Sequence, residues 1–176
     1  MAASAPQAPV PITVDSAADL YRAHKDRVYR LALRYSAGDI ALAEDITQDV
    51  FVTLWRHQHA IDGHDLGGWL YRVTTNRCLS HLRRERLRRT VWQALGLRPR
   101  WIDPEPEVVA RADVARVLDV VRQLPPKERV VFSMRFLDDK SQDEIAEVLG
   151  HSKGYVSKLV HRAIKRVRAA GWEVQP

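Results

Sequence analysis

Apolar residues recur along this chain at three- and four-residue spacing, a pattern that predicts amphipathic helices. Leu20, Val28, Leu31 and Tyr35 form the first stripe, with Ser16-x-x-Asp19 as a capping signal before it and Gly38 as a stop after it. Asp39 starts a stronger helix, IALAEDITQDVFVTLWRH. Its Leu42, Ile46, Val50, Phe51, Leu54 and Trp55 share one broad apolar face, and Asp45, Gln48, Asp49 and Arg56 fall opposite. His57 to Gly68 is polar and glycine-bearing and reads as a loop. Trp69 then opens a third helix, WLYRVTTNRCLSHLRRERLRR, with Trp69, Leu70, Tyr71, Val73 and Leu79 in its first half and arginines in its second.

Gly96, Pro99, Pro104 and Pro106 interrupt the pattern, so residues 88–107 read as a linker with a domain boundary in it. Trp92, Leu95 and Trp101 are apolar for a free linker and suggest that parts of it dock. Beyond it, Val109, Val114, Val117, Leu118 and Val121 mark another helix, stopped by Pro125-Pro126. Lys127 starts the next, carrying Val130, Val131, Met134 and Phe136.

The last stretch is the most sharply punctuated. Ser141-x-x-Glu144 is a capping box, Ile145, Ala146 and Leu149 recur at helical spacing, and Gly150 supplies a left-handed end. Ser152 caps a second helix that carries Lys153, Lys158, Arg162, Lys165, Arg166 and Arg168 and no acidic residue. An acidic helix, a glycine turn and a basic helix describe a helix-turn-helix whose second helix enters the major groove of DNA. A plain helical hairpin with a solvated basic face is the competing reading. No strand alternation or repeat is found. The expected fold is all-α: a lead over 1–14, a helical domain over 15–87, the linker, and a helix-turn-helix domain over 108–172.

Charge changes this picture more by its distribution than by its total of +6. Arg83 to Arg89 holds five arginines and one glutamate, whereas Asp138 to Glu147 holds five acids and one lysine. Such blocks suit separate partners better than a mixed solubilising surface does. Aromatic residues and Asn76 leading into clustered arginines suit single-stranded nucleic acid, with rings stacking on bases and guanidinium groups holding phosphates. For Trp69 itself a plain core position is slightly favoured. Asp45 and Asp49 sit at i and i+4 and repel by a few tenths of a kcal/mol, roughly, which invites a partner.

Other chemistry finds little support. His57, His59 and His64 lack the fourth ligand and framework of a zinc site, and Cys78 has no identifiable catalytic partner. A single cysteine excludes an intramolecular disulfide and fits a reducing compartment. The opening MAASAPQAPVPITV lacks the cationic and apolar regions of a signal peptide. No segment approaches the ~18 apolar residues of a membrane span. A soluble, cytoplasmic protein with no metal, no cofactor and no direct membrane insertion is expected.

The order of these parts resembles the sigma subunits of bacterial RNA polymerase, in their small extracytoplasmic-function (ECF) group. The resemblance covers about residues 16–87 and 108–170. AEDITQDVFVTLW is similar to the family's segment for docking on the polymerase clamp helices. WLYRVTTNRCLSHLRR resembles its promoter-melting, minus-ten-reading helix. LPPKERVVFSMRFLDDKSQDEIAEVLGHSKGYVSKLVHRAIKRVR resembles its minus-thirty-five-reading domain.

The resemblance implies that Asp45, Gln48 and Asp49 contact core RNA polymerase, whose beta-prime clamp and beta subunit are the expected partners. It implies that the loop from Ala60 to Asp65 holds a flipped base, and that Asn76, Arg77, Arg83 and Arg84 line the non-template strand. It likewise gives Lys153, Tyr155, Ser157, Lys158 and Arg162 to the minus-thirty-five duplex, and implies control by an anti-sigma factor. The linker is expected to run through the polymerase towards the RNA exit path. Three departures qualify it: Ser80 where an acid is usual, Leu66 where phenylalanine is common, and Tyr155-Val156-Ser157-Lys158-Leu159 in place of a Thr-Val-Lys-Ser-Arg-like run. The last run is therefore expected to set this chain's own promoter choice.

The residues allow two rival readings. A free-standing helix-turn-helix regulator would bind DNA without polymerase, and an enzyme would use the histidine loop or Cys78.

Overall fold

The computed structural model describes residues 14–57, 65–95 and 112–172. The lead, the loop at 58–64 with His59 and His64, the linker from 96 with Trp101 and Val109, and residues 173–176 lie outside the described residues. Every described element is a helix, as the periodicity predicted. They are α1 (Val14–Tyr35), α2 (Ile40–His57), α3 (Leu66–Ala94), α4 (Ala112–Gln123), α5 (Pro126–Phe136), α6 (Gln142–Leu149) and α7 (Lys153–Ala169).

Helices α1, α2 and α3 pack on one another. They bury Val28, Leu31, Tyr35, Ile46, Val50, Leu54, Leu70, Cys78, Leu79 and Leu82. Three expectations change here. Helix α1 begins at Val14, so Ser16 lies within its first turn and not ahead of it. Trp55 is 44% exposed and leaves the apolar face of α2 to its neighbours. Helix α3 starts at Leu66, because Asp65 caps it by accepting from the Gly68 N–H at 3.2 Å. A side chain at Gly68 would place its Cβ 2.3 Å from Asp65 Oδ1, so this cap requires glycine there.

Helix α3 also continues to Ala94, seven residues past Leu87, into the stretch expected to be linker. Its last buried residue is Leu82. The remaining turns bury no residue, with Leu87, Val91, Trp92 and Leu95 all exposed.

Helices α4 to α7 form the second unit. Pro126 opens α5 at a position where a missing N–H costs nothing. The capping box forms as expected: the Ser141 hydroxyl accepts from Glu144 N–H at 3.2 Å, and the Glu144 carboxylate accepts from Ser141 N–H at 2.8 Å. Gly150 takes φ +62°, and Ser152 caps α7. Val156, Leu159, Val160, Ala163, Ile164 and Val167 make a buried stripe along the whole of α7. Val156 and Leu159 therefore belong to the core, which narrows the departing run to Tyr155, Ser157 and Lys158 as side chains open to a partner.

The two units pack on each other. Helix α5 lies against α1 and α3, and α6 also meets α3. Met134, Val130, Val131 and Ile145 of the second unit join the buried cluster of the first. A smaller cluster sets Ala37 against Val121, Leu124, Phe132, Ala163 and Val167.

Candidate nucleic-acid and docking interfaces

Three surfaces collect the residues singled out from the sequence. The first is the outer face of α2. Asp45 and Gln48 are exposed, and Asp49 is half-exposed with its Oδ2 3.2 Å from His81 Nε2 of α3. Val52 and Trp55 continue the same face one and two turns on, at 48% and 44% exposure. Phe51 sits beside them with its ring edge-on to Tyr21, centroids 4.7 Å apart. The face is thus polar and acidic at one end and apolar at the other, a composition suited to a protein partner with a basic rim. The apolar half escaped the periodicity argument because Trp55 fits a core-facing count as well as an outer one.

The second surface is the outer side of α3. Asn76, Arg83 and Arg84 are exposed. Arg77 is half-buried and donates from Nη2 to Thr53 Oγ1 at 2.8 Å, tying α3 to α2. Arg89 pairs with Glu85 one turn back. Cys78 lies fully buried among these helices, and burial pushes its thiol pKa far above the ordinary value. A thiol so placed is a small core side chain, held protonated. His57 turns its Nδ1 to the Thr53 carbonyl at 2.9 Å, and the described residues hold no group of three or more potential metal ligands.

The third surface is the open face of α7. Ser157, Lys158 and Arg162 are exposed. Lys153 Nζ reaches Asp143 Oδ2 of α6 at 2.8 Å, fixing the start of α7 to the preceding helix. Tyr155 is held on two sides: Lys127 Nζ lies 3.3 Å from its hydroxyl and 5.0 Å from its ring centroid, and His151 meets its edge at 5.0 Å. On the α6 side, hydrogen bonds from Lys140 and then from Ser141 hold the Glu144 carboxyl down at about 2. The cap is therefore charged at any ordinary pH.

Arg83 of the second surface meets Tyr155 and Arg162 of the third across one cleft. Arg83, Arg86, Leu87 and Thr90 of α3 line one wall of a cleft of about 470 Å³, and Lys127, Tyr155, Leu159 and Arg162 line the other. The sequence holds no sign of this juxtaposition.

Residues 20–88 match the family described as Sigma-70 region 2, and residues 120–169 match Sigma-70, region 4. The chain is 32% identical to the ECF RNA polymerase sigma factor BldN of Streptomyces coelicolor, over 86% of this chain and 58% of that protein. It is 30% identical to the ECF RNA polymerase sigma factor SigL of Mycobacterium tuberculosis, over 85% of both. In fold it is similar to the sigma factor RpoE of Bartonella quintana, solved with the anti-sigma factor NepR. That match has a TM-score of 0.64 at 20% identity, covering 89% of this chain and 97% of that one.

Proposed function

Since the chain belongs to the ECF group of the sigma-70 family, we propose that it is a promoter-specificity subunit that performs no bond chemistry of its own. It binds core RNA polymerase through the outer face of α2, with Asp45, Gln48 and Asp49 meeting basic groups of the clamp and Trp55 as an apolar anchor. Lys153, Tyr155, Ser157, Lys158 and Arg162 read an upstream duplex element, and Asn76, Arg77, Arg83 and Arg84 hold the melted minus-ten strand. Opening follows from differential affinity: a protein that binds extruded bases better than the duplex shifts the population towards the open state. The chain works in the cytoplasm, and an anti-sigma factor holds it silent, as the NepR complex of its structural neighbour suggests.

The observation that carries this reading is the presence, on one chain and in family order, of an exposed acidic and aromatic docking face together with two basic helices. A free-standing regulator would need only α7. The test is to add the purified protein to core polymerase and assay start-site-specific RNA synthesis on promoter DNA. Synthesis that depends on both components is the expected result. Tight sequence-specific DNA binding by the chain alone, with no binding to core polymerase, would reject the proposal.

A further inference from the structure

The first turns of α5 and α7 meet at one edge of the helix-turn-helix unit. Pro126 opens α5 and Ser152 caps α7, which puts Lys127 and Tyr155 each in a first turn. Val130 and Val131 of α5 share a buried cluster with Val156, Leu159 and Val160 of α7, so the two helix starts keep their spacing. Glu128, the neighbour of Lys127, is turned inward with its carboxylate 2.9 Å from Arg166 Nε. It leaves the Lys127 ammonium to Tyr155. A lysine at the start of a helix also stands against the helix dipole, so helix stability does not account for it.

The contact between Lys127 and Tyr155 has a fixed polarity. An ammonium carries three donors and no acceptor, whereas a phenol oxygen both accepts and donates. Across their 3.3 Å contact Lys127 Nζ is therefore the donor and the Tyr155 oxygen the acceptor. The phenolic proton is left for another partner, and among the described residues no acceptor takes it. His151 meets the ring edge-on at 5.0 Å and holds its direction. Lys158 and Arg162 follow Tyr155 at three and seven positions, so all three share the open face of α7.

Polarity discriminates between base edges. In the major groove guanine shows two acceptors and no donor, and thymine shows one acceptor. Adenine shows one of each, and cytosine shows a donor alone. A hydroxyl confined to donating pairs best with guanine and finds nothing on cytosine. The adjacent ammonium acts in the same sense, attracted by the guanine acceptors and repelled by the cytosine amino group.

We propose that Lys127 is a positioning residue for base choice: by donating to Tyr155 it fixes that hydroxyl as a donor, so the chain selects guanine, then thymine, and rejects cytosine where Tyr155 meets the upstream element. The proposal rests on the sigma reading and deepens it, from the residues that touch the duplex to the base that they accept. Lys127 lies outside the α6–α7 motif, and only the packing of α5 on α7 brings it to Tyr155.

The test uses the full chain with core polymerase on a promoter library randomised over the upstream element, each template carrying a transcribed barcode. Base preference at every position is read from the RNA. One position should favour guanine over cytosine about tenfold in the wild type, the worth of one good hydrogen bond to a base. Tyr155→Phe removes the donor and should bring that position to within about twofold. Lys127→Ala should relax the same position, because the released hydroxyl can turn and accept from cytosine. Lys127→Arg again only donates and should keep the preference. Lys127 and Tyr155 both lie outside the buried clusters, so the three variants are expected to fold, which circular dichroism checks.

A Lys127→Ala variant that lowers synthesis from every template alike, with base preference unchanged, would make Lys127 a phosphate contact and overturn the proposal. So would a Tyr155→Phe variant that alters no position, or one whose altered position prefers cytosine. The same library is also selected by binding to the full chain without polymerase, which reads Tyr155 whether or not RNA is made. Guanine preference in binding without start-site-specific RNA defeats the sigma reading alone. RNA synthesis without that preference defeats the Lys127 assignment alone, and the absence of both defeats both.

Discussion

Helices α3 and α7 are both basic and both face nucleic acid in the proposed function, yet they are supported in opposite ways. Helix α7 is held along its full length by a buried stripe from Val156 to Val167, capped by Ser152 and tied to α6 through Lys153 and Asp143. Helix α3 is anchored only as far as Leu82, and its arginine-rich turns extend beyond any core. A rigid platform suits a duplex, whose donors and acceptors sit at fixed positions along the groove. Exposed basic turns outside the core suit a melted strand, whose backbone has no fixed geometry and is gripped by charge and stacking. The difference lies in burial: α7 carries a buried stripe from end to end, whereas the last buried residue of α3 is Leu82.

Truncation in each helix separates the two modes of support. Leu159→Ala should cost roughly 2–5 kcal/mol, seen as a lowered thermal midpoint, because it empties a packed position on α7. Leu87→Ala, at a residue 65% exposed, should stay within about 0.5 kcal/mol. Equal losses would show that the end of α3 is packed after all.

Next in size is a charge reversal on α2. Asp45→Arg with Gln48→Arg should weaken core-polymerase binding roughly a hundredfold, the loss typical of two central contacts in an interface, while upstream-duplex binding by the chain matches the wild type. This pair leaves the Asp49–His81 contact intact. Normal assembly in a pull-down would remove the docking assignment.

Smaller effects separate the two basic helices. Arg162→Glu should weaken duplex binding by about 1–3 kcal/mol, whereas Arg83→Glu with Arg84→Glu should leave duplex binding alone and weaken binding to single-stranded minus-ten DNA. If roughly six phosphates are neutralised, log affinity should fall with a slope near −5 against log salt. Identical responses to both substitutions would erase the distinction.

The smallest effect is at the cap of α6. The Glu144 carboxyl is held at about 2 against an ordinary 4.5, so its contribution is fully present above about 4.5 and is lost as pH falls towards 2. Amide exchange in α6 should accelerate over that acid range. Ser141→Ala should cost about 1 kcal/mol and flatten the dependence.

The caps at Ser141 and Ser152, the turn at Gly150, the all-helical fold and the basic face of α7 were all legible from the residues, because each rests on groups within about four positions of one another. The boundaries of α3 were less so. Its start depends on Asp65 accepting from Gly68 in a stretch whose glycines read as loop, and its end on exposed turns that no apolar period marks. Trp55 turned outward because α1 and α3 cover only part of α2, a fact of packing that spacing cannot report.

What needed the tertiary structure was the meeting of distant polar groups. Asp138 joins Tyr35 across 103 residues and Tyr71 across 67, and Tyr155 and Arg162 of α7 meet Arg83 of α3 across one cleft. Helix-forming and capping preferences act within one element, so the chain states them locally. A buried carboxylate between two tyrosines becomes favourable only once packing has removed water from all three, and nothing in the spacing of those residues anticipates that.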